Sequence, residues 1–334
     1  MKVIIESPRS PDDRHPADRH PADGQPADGN GEGWSFDEHD RTLDRLAARE
    51  NFPVATRLLP ARHRAGLRAV YGFARLVDDV GDEAPREQRA KLLGLVDDDL
   101  DRVFAGRTPN LPQLRRLAPA VHAHRLPEEP FRDLVRANRR DQVVHRYETF
   151  AELTEYCALS AAPVGRIVLH LFRAHDHRPV AASDDHRLVA ASHDNRLVAA
   201  SDDVCTALQI IEHCQDAGED YRAGRIYLPG EDLRRFGCAE DDLARPVTPT
   251  RLRGVLALEA GRARDLLDGG AAPLLAGLSG WARVAVAGYV AGGRAALTAL
   301  ERGRYDVLAR RLRPRRATLL TGWARALGTE GGKR

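Results

Sequence analysis

The sequence predicts a single all-α bundle with its functional centre in a cavity between helices. Three observations carry that prediction. Apolar residues recur at three- and four-residue spacing through the periodic stretches from Ser35 onward. No stretch shows a convincing alternation of apolar and polar residues of the kind a half-buried strand needs. Two Asp-rich stretches, around Asp78 and Asp216, lie on or beside apolar helical lines rather than on plainly solvated faces.

Taken in order, residues 1–34 hold three tandem copies of a five-residue unit: Arg14-His15-Pro16-Ala17-Asp18, Arg19 to Asp23, and Gly24 to Asp28. Sequence this rich in Pro, Asp and Gly buries too little apolar area to offset ordering, so a disordered tail is expected. The all-α domain is expected over 35–320, opening at Ser35 with Glu38 three residues on, a capping-box pattern. Its first helix carries Leu43 and Leu46. Pro53 and Pro60 bracket a short segment before a long helix through Asp82, which Gly81 and Pro85 weaken and end. A helix over about 87–104 follows, with Leu92, Leu95, Val96, Leu100 and Val103 as its buried stripe. Prolines 109, 112, 119, 127 and 130 read as punctuation of connections. Helices are then expected over 131–146, with Asn138 and Gln142 on one side, and over 150–171, broken or kinked by Pro163-Val164-Gly165.

Ser183 to Ala191 is nearly repeated as Ser192 to Ala200, and Ser201-Asp202-Asp203 begins a third copy. Two copies are too few for a solenoid. The expectation is an expanded, solvated repeat loop over 175–203, with Asp203 capping a helix from about Val204. Helices over 249–267 and 274–300 follow, and 321–334 reads as a C-terminal tail.

Composition sets bounds. The chain has 334 residues, enough for one large core, and a formal net charge of only +2, which argues against nucleic acid as a partner. Only Lys2, Lys91 and Lys333 of its 51 basic residues are lysine. Its four cysteines form no CxxC pair and follow no secretory signal, so a reduced, cytoplasmic setting is expected. The most apolar late stretch, Trp281 to Leu300, carries Arg283 and Arg294 and reads as a packed helix, not a membrane span.

The chemistry lies in the acidic stretches. Along Leu67, Val70, Tyr71, Ala74 and Val77 runs a buried helical face, and Arg75, Asp78 and Asp82 share its stripe. An unpaired buried carboxylate costs several kcal/mol or is forced neutral, so this cluster calls for a cation. In the second stretch Gln209, Glu212, Asp216 and Asp220 stand at steps of three, four and four beside Leu208 and Ile211. Two such helices can face each other and hold divalent ions. An all-oxygen donor set suits Mg²⁺, which usually shares its shell with water and a substrate phosphate, so a diphosphate substrate is the natural third party. The competing reading is a solvated helix end, as expected for Asp97-Asp98-Asp99 with Asp101. Two matches, both on apolar stripes and both followed by Arg-rich segments, favour the metal–diphosphate site.

Asn51-Phe52 with Leu58-Leu59-Pro60, then Tyr71, Arg75 and Asp78-Asp79-Val80-Gly81-Asp82, resembles the first half of the squalene/phytoene synthases. Gln215 to Pro229, reading through Asp216-Ala217-Gly218-Glu219-Asp220-Tyr221-Arg222-Ala223-Gly224-Arg225-Ile226-Tyr227-Leu228, resembles that family's second signature. The resemblance covers about 35–313. Tyr156-Cys157 with Ser160, Pro163-Val164-Gly165 and Glu212-His213-Cys214-Gln215 is similar to the hydroxysqualene synthase branch of the bacterial hopanoid pathway.

The resemblance implies an isoprenoid-synthase bundle around a central cavity and a prenyl diphosphate substrate. It implies catalytic roles for Tyr71, Arg75, Asp78, Asp82, Asp216 and Asp220. Substrate-binding roles fall to Asn51, Arg75, Gln215, Arg222, Arg225 and Tyr227. Metal ligands are expected among Asp78, Asp79, Asp82, Glu212, Asp216, Glu219 and Asp220, with Mg²⁺ as cofactor. Glu212 stands where the family commonly has Asn, so it either adds a ligand or only alters charge. His213 and Gln215 flank the metal line; His213 either orients a water or packs against a neighbour on the outer face. The reaction implied is ionisation and rearrangement of presqualene diphosphate with water capture. The alternatives are head-to-head condensation of two prenyl diphosphates to squalene or phytoene, and a non-catalytic scaffold or assembly protein. Peripheral contact with a membrane's inner face and with pathway enzymes are the partner expectations.

Overall fold

The computed structural model describes residues 34–49, 59–173, 184–314 and 316–328. Asn51 and almost all of the expected N-terminal tail lie outside them. The described residues are helical, with no strand among them; one isolated parallel bridge joins Arg146 to Ile226. In chain order the helices are α1 (Phe36–Arg49), α2 (Ala61–Asp82), α3 (Arg86–Phe104), α4 (Pro112–His124), α5 (Glu129–Arg140), α6 (Phe150–Ser160), α7 (Ala162–Arg173), α8 (Asp184–Arg222), α9 (Gly230–Arg235), α10 (Thr250–Gly277), α11 (Gly280–Arg302) and α12 (Arg316–Gly328). A short 3₁₀ turn, Glu240–Ala244, precedes α10.

Several boundaries follow local chemistry read from the sequence. The Ser35 hydroxyl accepts the Glu38 amide at 3.3 Å, the first half of the expected cap. The expected break in the 150–171 helix falls at Ala161, and Pro163 sits in the first turn of α7, where its missing N–H costs nothing. Thr149 caps α6 by accepting the Glu152 amide at 3.2 Å.

Others depart from it. Prolines 112 and 119 do not punctuate a connection: Pro112 is the first residue of α4, and Pro119 is carried inside that helix. The helix expected over 131–146 ends at Arg140, leaving Gln142 in the turn beyond it. Thr250–Gly277 is one helix running through Pro273, where a gap was expected. The largest difference is the repeat. Residues 184–203 are not a loop but the first half of α8, so Asp203 lies within a helix instead of capping one. The tail expected over 321–334 is in large part helix α12, which docks on α11 through Trp323 Nε1 donating to the Val284 carbonyl at 3.0 Å and through buried Ala326.

The centre of the bundle is the antiparallel pair α8 and α10. Gly270 faces Ala200 and Asp203, whereas Glu259 lies beside Cys214. A Cβ on Gly270 would come within 2.6 Å of the Ala200 carbonyl oxygen, so only glycine lets the two backbones approach this closely. α7 packs along α8, and α2 is gripped by α3, α4, α5 and α7. The core is dominated by Leu, Val, Ile and Ala, with Phe73 and Phe131 edge to face at 5.3 Å.

Candidate active site

α2 delivers three carboxylates to one end of the bundle, and the structure gives each a different environment. Asp79 is buried and fully engaged: the Arg75 guanidinium donates through Nε at 2.7–2.8 Å, and His39 Nε2 donates at 2.8 Å. His39 is in turn oriented by Gln113, whose Nε2 lies 3.1 Å from its Nδ1. Arg75 also reaches Glu83 at 3.4 Å. The pair expected to serve metal and substrate is therefore closed on itself. The structure uses Asp79 and Arg75 to brace α2 against α1 and α4.

Asp78 and Asp82 are different. Asn138 Nδ2 donates to the Asp78 side chain at 3.2 Å, and burial, with the charge of Asp82 adding, pushes its carboxyl up to about 6. Gly81 makes this approach possible, because a Cβ there would sit 2.2 Å from Asn138 Oδ1. Gln142 adds a second grip by donating to the Gly81 carbonyl at 3.1 Å. Asp82 receives Arg225 Nη1 at 2.6 Å. That bond spans 143 residues of sequence and ties the end of the first acidic stretch to the turn after the second.

On α8 the line Glu212, Asp216, Asp220 is buried at Glu212 and half-buried at the other two. His213 is buried, not on an outer face. It stacks on Tyr227 with ring centres 3.9 Å apart, places Nδ1 3.8 Å from Asp220, and lies 3.3 Å from Gln209 Nε2. Gln215 and Glu219 turn away from this line. Gln215 donates to the Leu312 carbonyl at 2.7 Å, and Glu219 accepts Arg311 at 2.5 Å on the outer surface. They fasten the C-terminal segment and are not gathered with the other candidates. Arg222 is exposed at the end of α8. Tyr227 is buried and also stacks with Tyr147, ring centres 5.7 Å apart.

Sequence reasoning missed Asp141, which the structure places beneath Arg225. Tyr156 donates its phenol to Asp141 Oδ2 at 2.5 Å, and burial pushes the carboxyl up to about 7 against the hydrogen bonds of Tyr156 and Tyr227 and the charge of Arg225. The signal was present: Asp141 stands three residues after Asn138 and next to Gln142, on the side of the segment that touches α2. Nothing in the spacing of Tyr147, Tyr156, His213 and Tyr227 announces the aromatic cluster they form.

Behind the acidic ends lies an apolar cavity. α2 contributes Tyr71 and Ala74, one turn before Arg75 and Asp78. α8 contributes Val204, Cys205 and Leu208, one turn before Glu212, and α7 and α11 add Val164 and Tyr289. The two acid-bearing helices are thus walls of one chamber. Among the described residues no three carboxylate, imidazole or thiol groups converge into a self-sufficient metal cage. The donors at this end are carboxylate oxygens, Asp78 among them only partly compensated, and hard oxygen donors are the type that Mg²⁺ takes.

A helical bundle with two acidic helix ends at one apolar chamber defines the architecture of an isoprenoid synthase. The family model for squalene/phytoene synthase matches residues 46–319, and the chain belongs to that family, whose members act on prenyl diphosphates. The protein is accordingly an enzyme of prenyltransferase type. It is 33% identical to the hydroxysqualene synthase of Sinorhizobium fredii (strain NBRC 101917 / NGR234), over 69% of this chain and 72% of the relative. It is also 33% identical to the phytoene synthase of Cereibacter sphaeroides, over 61% and 55% of the two chains. The crystal structure of squalene synthase HpnC from Alicyclobacillus acidocaldarius superposes with a TM-score of 0.67 at 35% identity, covering 81% of this chain and 94% of that one.

Proposed function

We propose that the protein is a hydroxysqualene synthase acting on presqualene diphosphate in squalene and hopanoid biosynthesis. The observation that carries this reading is one apolar chamber whose walls run, one turn on, into Asp78 on α2 and Glu212 on α8, with the Arg225–Asp82 bond joining the two acidic stretches. The branch assigned rests on the relatives named hydroxysqualene synthase. Mg²⁺ held by these carboxylates would supply Lewis-acid stabilisation of the departing diphosphate oxygen. Asp79 and Glu219 are left out of this set because Arg75, His39 and Arg311 already occupy them.

In this reading the carbon–oxygen bond to diphosphate breaks, and the electron pair leaves with the diphosphate. Arg225 lies at the joint of the two acidic stretches and holds Asp82 in place. The apolar walls keep bulk water from the cation while it rearranges. One water then adds its oxygen to the cation and loses a proton, giving hydroxysqualene. The Tyr156–Asp141 hydrogen bond lies beside Arg225 at the acidic end.

The test is product analysis of purified protein with Mg²⁺ and presqualene diphosphate. Hydroxysqualene forming equally with and without NADPH is expected; squalene appearing only with NADPH would reject the reading. The phytoene synthase relative keeps condensation of two prenyl diphosphates as the second reading. Turnover of farnesyl diphosphate alone would favour it.

A further inference from the structure

A second concave surface lies outside the chamber, where the C-terminal end of α11 meets the segment that follows it. It is an open groove lined by Arg302, Arg310, Arg311, Arg313, Thr298 and Thr318, with apolar residues between them. Of the four guanidinium groups, Arg311 is engaged with Glu219. Arg302, Arg310 and Arg313 have no carboxylate partner among the described residues. The acids nearest in sequence are committed elsewhere: Glu301 to Arg264 at 2.7 Å, and Asp306 to Arg253 at 3.1 Å.

The surface is also built to hold its shape. The chain turns through two consecutive left-handed non-glycine residues, Arg304 and Tyr305, at φ 51° and 54°. Thr248 pins the turn by donating its amide to Asp306 at 3.0 Å and accepting the Leu308 amide at 3.0 Å. The Leu312 carbonyl is held by Gln215, and the Leu312 side chain packs against Gly303. Like charges gathered on a fixed concave wall repel one another unless an anion lies between them. Guanidinium forks match phosphate oxygens in pairs, and the Thr318 side chain lies on the same wall.

We propose that this groove binds a phosphate-bearing anion, as a site separate from the diphosphate end of the chamber. The site follows from the placement of arginines that the reaction does not use, so its failure would leave the proposed function untouched. The phosphate comes either from free diphosphate or from the headgroup of an anionic phospholipid.

Full-length protein is compared with the triple variant Arg302→Gln, Arg310→Gln, Arg313→Gln, and with Asp78→Asn as a control for the chamber. Each is titrated calorimetrically with inorganic diphosphate in EDTA, which withholds Mg²⁺ from the carboxylates. Each is also sedimented with phosphatidylglycerol or phosphatidylcholine vesicles. Melting temperatures establish that the variants are folded. For the free anion, diphosphate binding should weaken by at least about tenfold in the triple variant and not in Asp78→Asn, and should fall with salt. For the lipid source, wild type should sediment with phosphatidylglycerol but not phosphatidylcholine, and the triple variant with neither. Wild type and triple variant behaving alike towards both probes, whether both bind or neither does, would overturn the proposal.

Discussion

Asp78 and Asp79 are adjacent, and their surroundings assign them opposite tasks. Asp79 is compensated by Arg75 and His39, so Asp79→Asn should lower stability by roughly 2–3 kcal/mol by leaving Arg75 buried beside a neutral amide. Asp78 is poorly compensated, so Asp78→Asn should leave the melting temperature of metal-free protein unchanged or higher at neutral pH, while turnover falls by about two to three orders of magnitude. Near-wild-type turnover of Asp78→Asn at saturating Mg²⁺ would remove it from the site. Asp141 gives the clearest pH signature. Its folded carboxyl is pushed up to about 7, so the folded state binds that proton more tightly than the unfolded chain does. The stability this provides is fully present at acid pH and is lost as pH rises from the ordinary Asp range to about 7, amounting to roughly 4 kcal/mol at most. Denaturant unfolding at several pH values should show that loss in wild type and a much smaller one in Asp141→Asn. Equal slopes would mean that Asp141 is not buried against Tyr156. Glu259, pushed up to about 8 by burial, keeps a residual slope in both proteins.

At the scale of the element, legibility followed periodicity. The acidic ends of α2 and α8 were readable because apolar neighbours at three- and four-residue spacing fix which face is buried. The repeat was not readable by that route. A nine-residue unit spans about two and a half helical turns, so successive copies present Leu and Val on opposite sides and no single stripe emerges. Its helical nature lay instead in composition: neither Gly nor Pro interrupts residues 184–203, and Leu and Ala recur. Leu197, Ala200 and Val204 are buried at three- and four-residue steps that continue into the chamber wall at Leu208. Leu197→Ala should therefore cost about 2–4 kcal/mol. Deleting Ser192–Ala200 should cost less, because Arg187-Leu188-Val189-Ala190-Ala191 then precedes Ser201 with the same five residue types in the same register. Thermal melts of the two proteins decide it. A deletion that melts lower than Leu197→Ala would show that both copies are packed. Which ionisable groups meet was the least legible feature. Glu212, Asp216 and Asp220 share a line with no special signal separating them from Gln215 and Glu219, and only the position of Leu312 and Arg311, about 95 residues on, turns the latter two outward.

For the whole molecule, the claim is that one chamber joins two halves of the chain so that a diphosphate leaves at the acidic end and a cation is quenched inside. The bond from Arg225 to Asp82 is where those halves meet, and the apolar wall from Tyr71 to Tyr289 lies behind it. No helix among the described residues is long and apolar enough to cross a membrane. The most direct measurement is turnover of presqualene diphosphate with Mg²⁺ in ¹⁸O-labelled water, read by mass spectrometry. Cleavage of the carbon–oxygen bond followed by water capture predicts hydroxysqualene carrying one ¹⁸O and diphosphate carrying none. Label in the released phosphate with an unlabelled alcohol would show attack at phosphorus, and would contradict the account of the chamber.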